Sequence, residues 1–204
     1  MKEEEIRPKE LLDRYLELSA KDGAALDSKN FVEIDCPACH AKDSKTQFKK
    51  NNYTYKKCPH CNSLFCSPRP SQKQLDSLYF GSESSKYWSN VFFPSVAEAR
   101  REKLFRPKAQ KIARMIQEKK MNVTSICDVG AGYGLFLQEI QNVLPKVKLY
   151  AIEPDSTSAE QCRKKNIETL VATAESSEEW SNKFDLVISS EVIEHVFDLK
   201  KFIE

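Results

Sequence analysis

SICDVGAGYG, residues 125–134, is a short apolar run that ends in three alternating glycines, Gly130, Gly132 and Gly134. Such a run reads as a buried strand, and glycines in this rhythm let the backbone turn sharply and come close to a ligand at the strand's carboxyl end. Working outward, the rhythm persists. KLYAIE (148–153), ETLVA (168–172) and FDLVIS (184–189) read as further strands. GLFLQEIQNVL, TSAEQCRKK and EEWSN read as the helices between them. Strands alternating with helices from residue 123 onward predict an α/β domain with a parallel sheet.

Glu153 closes the strand after the glycine turn, where its carboxylate can accept hydrogen bonds from two ribose hydroxyls. A nucleoside ligand is the common denominator of that pairing. A dinucleotide site prefers G-x-G-x-x-G, with a helix amino terminus facing a pyrophosphate. Here the pattern is G-x-G-x-G with Asp128 two residues ahead, which favours a cationic ligand. The plainer alternative is a strand-turn-helix corner that binds nothing.

At this point the chain resembles the class I S-adenosylmethionine-dependent methyltransferases. The resemblance spans 123–204 and rests on DVGAGYG (128–134), IEP (152–154) and FDLVISSEVIEHV (184–196), in that order. It implies a Rossmann-like parallel sheet, of which this chain carries the first four strands, and S-adenosylmethionine as cofactor. Carried over by position, Asp128 and Gly130 hold the methionine ammonium group. Ala131 and Gly132 form the close-approach turn, Glu153 binds the ribose, and Ser190 and Glu191 lie along the methionine and sulfonium side. Many relatives have an acid after the third strand that contacts the adenine. This chain has Thr173 there, followed by Ala174, the position assigned to the cofactor site, and Glu175. Glu191, Glu194 and His195 form an E-x-x-E-H unit that offers donors for a divalent cation, or else simply opens a helix. No residue is singled out as catalytic base.

Ahead of this domain, Cys36-Pro-Ala-Cys39 and Cys58-Pro-His-Cys61 are two C-x-x-C pairs separated by eighteen residues. Tetrahedral zinc needs four soft donors from two chain segments, and this spacing supplies them in a closed, structural site. The expectation is a small zinc ribbon over 31–70, with Cys36, Cys39, Cys58 and Cys61 as ligands; four unrelated buried cysteines are the alternative. His40, His60 and Cys66 lie nearby, and Cys66 is read as a small packed residue. Cys127 is read as a core thiol and Cys162 as a surface thiol.

The remaining segments are helical. Residues 1–30 carry a helix with Leu11, Leu12, Tyr15, Leu16 and Leu18 on one side, Pro8 at its start and a polar connection over 22–30. Residues 71–121 form an aromatic-rich helical linker. Within it Ser71 with Gln74 and Ser95 with Glu98 are spaced as caps, and Pro107 is a candidate kink. Phe105, Ala109, Ile112 and Ile116 form a buried stripe, opposite a solvated face of Lys103, Lys108, Lys111 and Arg114.

Charged residues make up 30% of the chain with a net charge of only +2, which excludes a globally polyanion-directed surface. The polar amino terminus and the lack of a long apolar run predict a cytoplasmic protein with no membrane partner. Cysteines arranged for metal rather than disulfides agree with that compartment. The function implied is S-adenosylmethionine-dependent methyl transfer. The ribbon's C-N-S-L-F-C-S-P-R-P-S ending followed by L-Y-F resembles bacterial methyltransferases with an amino-terminal zinc-binding domain. That makes a small molecule or nucleotide-linked sugar or glycan the first choice of acceptor. The rivals are a ribosomal-RNA methyltransferase, favoured by Lys45, Lys49, Lys50, Tyr53, Tyr55, Lys56 and Lys57, and a non-catalytic cofactor-binding or scaffold protein. The family's sheet has seven strands, so stopping after the fourth predicts a truncated product that self-associates through that exposed strand and transfers little methyl by itself.

Overall fold

The computed structural model describes residues 2–203 and divides into two compact units, one formed by Met1–Ile6 with Val96–Val196, the other by Arg7–Ser95 with Phe197–Glu204. In the latter, α1 (Lys9–Ala24) starts behind Pro8 as expected. It runs on through Gly23, so the polar connection is shorter than its composition suggests. Leu16 faces outward, 53% exposed, against the predicted apolar side. Tyr15 faces inward and meets Trp88 at 5.2 Å and Phe92 at 6.2 Å between ring centres.

The ribbon is a three-stranded antiparallel sheet in the order β1 (Lys45–Lys50), β2 (Tyr53–Lys57), β3 (Leu64–Cys66). Asn51 and Asn52 turn the first hairpin with φ of 49° and 66°, the left-handed pair that a two-residue loop needs to match strand twist. Val32 bridges Arg69, and Ser67 donates to Glu33 at 2.7 Å while accepting from the Ile34 amide at 3.1 Å. The cysteine pairs are thereby anchored to the chain on both sides. The capping box forms at α2 (Gln72–Gly81), where the Ser71 amide donates to Gln74 Oε1 at 3.0 Å. Then α3 (Glu83–Tyr87) starts on Ser82, whose hydroxyl accepts from the Ser85 amide at 3.1 Å.

Ser95 does not cap a helix. A π turn over Trp88–Phe92 leads straight into α4 (Phe93–Arg100), and the Ser95 hydroxyl donates back to the Val91 carbonyl at 2.7 Å. Cap letters act as a cap only where the chain enters from a non-helical conformation. Nor does Pro107 sit mid-helix. A second π turn, Arg101–Phe105, precedes α5 (Arg106–Glu118), and Pro107 lies in its first turn, where a missing N–H costs little.

The other unit carries the parallel sheet. Its strands are β4 (Ser125–Val129), β5 (Lys148–Ile152), β6 (Glu168–Leu170) and β7 (Leu186–Ser189), in the order β6-β5-β4-β7. Between them in sequence lie α6 (Leu135–Val143) and α7 (Ser156–Arg163). The third predicted helix, EEWSN, is only a 3-10 turn at Glu178–Trp180. The core gathers Ile126, Leu137, Ile140 and Ala151 with Ala109, and the predicted partners Phe105, Ile112 and Ile116 pack against it. Asp185 accepts from the amides and hydroxyls of both Thr124 and Ser125 at 2.7–3.0 Å, pinning the amino ends of β4 and β7. A last short helix, α8 (Leu199–Ile203), belongs to the ribbon's unit.

Candidate functional site

Parallel register levels the carboxyl ends of the strands: Val129 faces Ile152 and Ser189, and Ile152 faces Leu170. The residues that follow, Gly130, Glu153 and Ser190, therefore share one edge of the sheet. The sequence had placed all of these in the site, and the fold brings them to one edge.

Gly130 has φ of +77°, and a Cβ there would stand 2.3 Å from Val192 Cγ2. Both conformation and space require glycine. At Gly134 a Cβ would meet Cys162 Sγ and Ile167 at 3.0 Å, so the turn is packed from below. Gly132 differs: nothing lies within 4 Å of where its Cβ would be. Its outer side is an open cradle, as a ligand-facing turn requires.

Glu153 is buried behind this turn. One carboxylate oxygen accepts from the Gly132 amide at 2.7 Å and the other from the Asp155 amide at 2.9 Å, leaving a second lone pair on each. Asp128, 4% exposed, is the penultimate residue of β4. Its carboxyl is pushed up to about 8, first by burial and then by the charge of Glu153, with Lys108 pulling the other way. Burial likewise raises Glu153 against the pull of its two amides. A buried acid whose proton affinity is raised by burial and by the charge of a second buried acid suits a cation and repels an anion.

Two participants were not legible. Lys108, read as part of a solvated helix face, donates to the Ser190 hydroxyl at 2.7 Å. Cys162, read as a surface thiol, is completely buried, and its Sγ lies 3.1 Å from the Gly132 carbonyl. Burial pushes that thiol up to about 12. It is the packing that supports the glycine turn; helical spacing alone does not show which face of an eight-residue helix the sheet will cover. Among the other expected residues, Ala131 is buried, and its amide lies 3.4 Å from the Ile152 carbonyl. Ala174 opens a 3-10 turn just past β6, capped by Thr173 with Ser176. Glu191 sits at φ of +61°, ahead of a 3-10 turn at Ile193–His195. The E-x-x-E-H letters thus do not lie along one helix face.

The second site is the cysteine cluster. Cys36, Cys39, Cys58 and Cys61 bring their sulfurs within 4.8 Å of one another, the group among the described residues with metal-holding geometry. The Cys36–Cys61 and Cys39–Cys58 sulfurs are 3.5 Å apart, close to the roughly 3.8 Å edge of a tetrahedron with a metal at 2.3 Å. The two knuckles repeat each other. His40 and Asn62 occupy matching positions at φ of 60° and 62°, and their amides return to Cys36 and Cys58 carbonyls at 2.8 and 3.1 Å. Ser63 holds the Cys61 thiol down at about 6, through its hydroxyl and its amide. For Cys39 the Ala41 amide pulls down, but hydrogen bonds shared with Cys58 and Cys61 outweigh it and push the thiol up to about 12. Four sulfurs this close cannot all ionise by themselves, and a dication at their centre fits the donor set.

Residues 98–204 match a family described as a methyltransferase domain. The chain belongs to that family. The match to this methyltransferase domain begins within α4 and takes in the whole parallel sheet. Among solved structures, the plantazolicin methyltransferase BpumL, in complex with a triazolic desmethylPZN analog and SAH, is 19% identical over 63% of this chain and 49% of that one, with a TM-score of 0.50. The sugar N-methyltransferase KedS8 from Streptoalloteichus sp. is 19% identical over 48% and 39%, with a TM-score of 0.40. BpumL supports the methyltransferase fold and nothing finer; KedS8 is too distant to carry an argument. This chain spans less than half the length of either solved protein. No curated protein matches it. Among the described residues no helix is long and apolar enough to cross a membrane.

Proposed function

We propose that the methyltransferase domain binds S-adenosylmethionine at the edge formed by Gly130, Glu153 and Ser190 and serves methyl transfer. The observation that carries this reading is the pair of buried acids, Asp128 and Glu153, behind a left-handed glycine turn whose outer side is open. When bound, S-adenosylmethionine supplies an electrophilic methyl group on a cationic sulfur. Asp128 with the Gly130 turn would hold the ammonium group, and the spare lone pairs of Glu153 would take the ribose hydroxyls. Ala131, Gly132 and Ala174 would border the nucleoside. Lys108, already at Ser190, is placed to take the carboxylate of the methionine moiety, while Ser190 and Glu191 flank it. The chain's contribution to rate would be placement of the acceptor against the methyl group.

The four cysteines would hold zinc in a closed site that organises the ribbon. The segment from 122 and the ribbon at 31–70 are read as separate functional parts. For the acceptor, a small molecule or nucleotide-linked sugar is the first reading, on the likeness of the ribbon's ending to sugar-associated methyltransferases. RNA is the second, favoured by the lysines and rings of the ribbon hairpin. Calorimetric titration with S-adenosylhomocysteine tests the cofactor reading: the native chain is expected to bind, and Glu153→Ala to bind at least tenfold more weakly. An unchanged titration for the variant would refute the site.

A further inference from the structure

The β1–β2 pairing contains a bulge between Thr46 and Phe48. Without it, Lys45 and Phe48, three residues apart, would point to opposite faces of the strand. With it, Lys45 stands opposite Lys57, Phe48 opposite Tyr55 and Lys50 opposite Tyr53, all on the face shared by residues 53, 55 and 57 of β2. Leu64, paired with Lys57 on β3, extends that face. The other face carries Phe65, which packs on Cys36 and Cys58, so the cysteine knuckles cover one side of the ribbon.

The first face is covered at Tyr53, which stacks on Phe31 with ring centres 5.8 Å apart, and is open beyond it at Phe48 and Leu64. Phe48 is 43% exposed and Leu64 53%. Phe48 and Tyr55 stack with ring centres 4.8 Å apart and planes 22° from parallel. Lys45 directly opposes Lys57, a like-charged cross-strand pair that is unfavourable unless an anion comes between. The neighbouring lysine Lys56 pairs with Glu33 at 2.8 Å, whereas no described residue forms an ion pair with Lys45, Lys50 or Lys57. A flat face with a stacked aromatic pair flanked by unneutralised lysines matches a ligand with alternating π-faces and negative charges.

We propose that this face of the ribbon binds single-stranded RNA, with bases stacking on Phe48 and Tyr55 and phosphates on Lys45, Lys57 and Lys50. RNA is the form in which unpaired, splayed bases are ordinarily presented, and a flat sheet face suits a strand better than the concave site that a lone nucleotide needs. The inference deepens the RNA reading of the acceptor and stands apart from the cofactor site.

The test is fluorescence anisotropy of a labelled, unstructured twelve-nucleotide RNA of mixed sequence with the zinc-loaded chain and no cofactor. Binding is expected at low salt and should weaken linearly on a log–log salt plot. Lys45→Gln with Lys57→Gln should flatten that slope by about 1.4, from about 0.7 per lost phosphate contact. Phe48→Ala should weaken binding about tenfold at fixed salt, and Phe48→Tyr should restore it. Zinc content and circular dichroism equal to the native chain's certify each variant as folded. Absence of binding at low salt overturns the proposal. So does a Phe48→Ala variant that binds as tightly as the native chain, which would mark general attraction to polyanions, or a duplex or DNA strand of the same sequence bound more tightly. Because titration with S-adenosylhomocysteine is run separately, loss of RNA binding and failure of the cofactor site are told apart.

Discussion

Asp128 has a carboxyl whose folded value lies near 8, chiefly through burial, well above its ordinary 3.8. A carboxyl raised on folding contributes stability below its unfolded value, and that contribution is lost as pH climbs through the folded value. The unliganded chain is therefore expected to lose stability between about pH 4 and pH 8. Asp128→Asn, which carries no charge to bury, should lose less over that window and be the more stable of the two at pH 9. Chemical denaturation at pH 5 and pH 9 measures this, and a native-minus-variant gap that does not move with pH would contradict it. The strain has a use: a buried acid that resists ionising is ready to accept a cationic partner.

At the scale of elements, α6 carries a carboxylate inside the fold. Glu139, 2% exposed, lies 3.0 Å from Arg101 in the second π turn and 2.9 Å from Arg106 at the start of α5. A π turn has poorer backbone geometry than an α turn and persists where side chains hold it. Glu139 does so from both sides of Phe105. Removing it leaves two guanidinium groups without their shared carboxylate, though both arginines are themselves a third or more exposed and solvent screens part of the loss. Glu139→Ala is expected to destabilise by about 1–3 kcal/mol, read as a lower denaturant midpoint at unchanged slope. An unchanged midpoint would show that the π turn stands without it.

For the molecule as a whole, the ribbon has little besides its four-cysteine cluster to hold it. Its buried cluster consists of Cys36, Cys58 and Phe65, with Ile34 and Ala41 packed alongside. A core of that size cannot offset the conformational entropy of ordering some forty residues, whereas a structural zinc supplies its binding energy as folding energy. The purified chain is expected to carry about one zinc per molecule. Stripping it under reducing conditions should melt the ribbon and leave the parallel sheet, with its own core around Ile126 and Leu137, folded. Two separated calorimetric transitions after chelation, against a higher first transition with zinc, would bear this out; metal analysis that finds no zinc would remove the basis for it.

The alternation of strands and helices, the glycine turn at 130–134, the acid at 153 and the paired C-x-x-C knuckles were all readable from residues close together in the chain. Each depends on local geometry: a left-handed φ, a strand's end or a two-thiol turn is set by neighbours within a few positions. The Ser95 and Pro107 readings failed because cap and kink signals depend on what the preceding turns are doing, and both residues fall where the chain is already helical. Lys108 at Ser190, Cys162 beneath the Gly132 carbonyl, Val192 against Gly130 and Lys45 opposite Lys57 were decided only by the tertiary structure. These contacts join residues from a dozen to some eighty positions apart, and they follow from strand register, one bulge and the side of the sheet each helix covers. A one-residue change in any of those would exchange buried and open faces without altering a local pattern in the sequence.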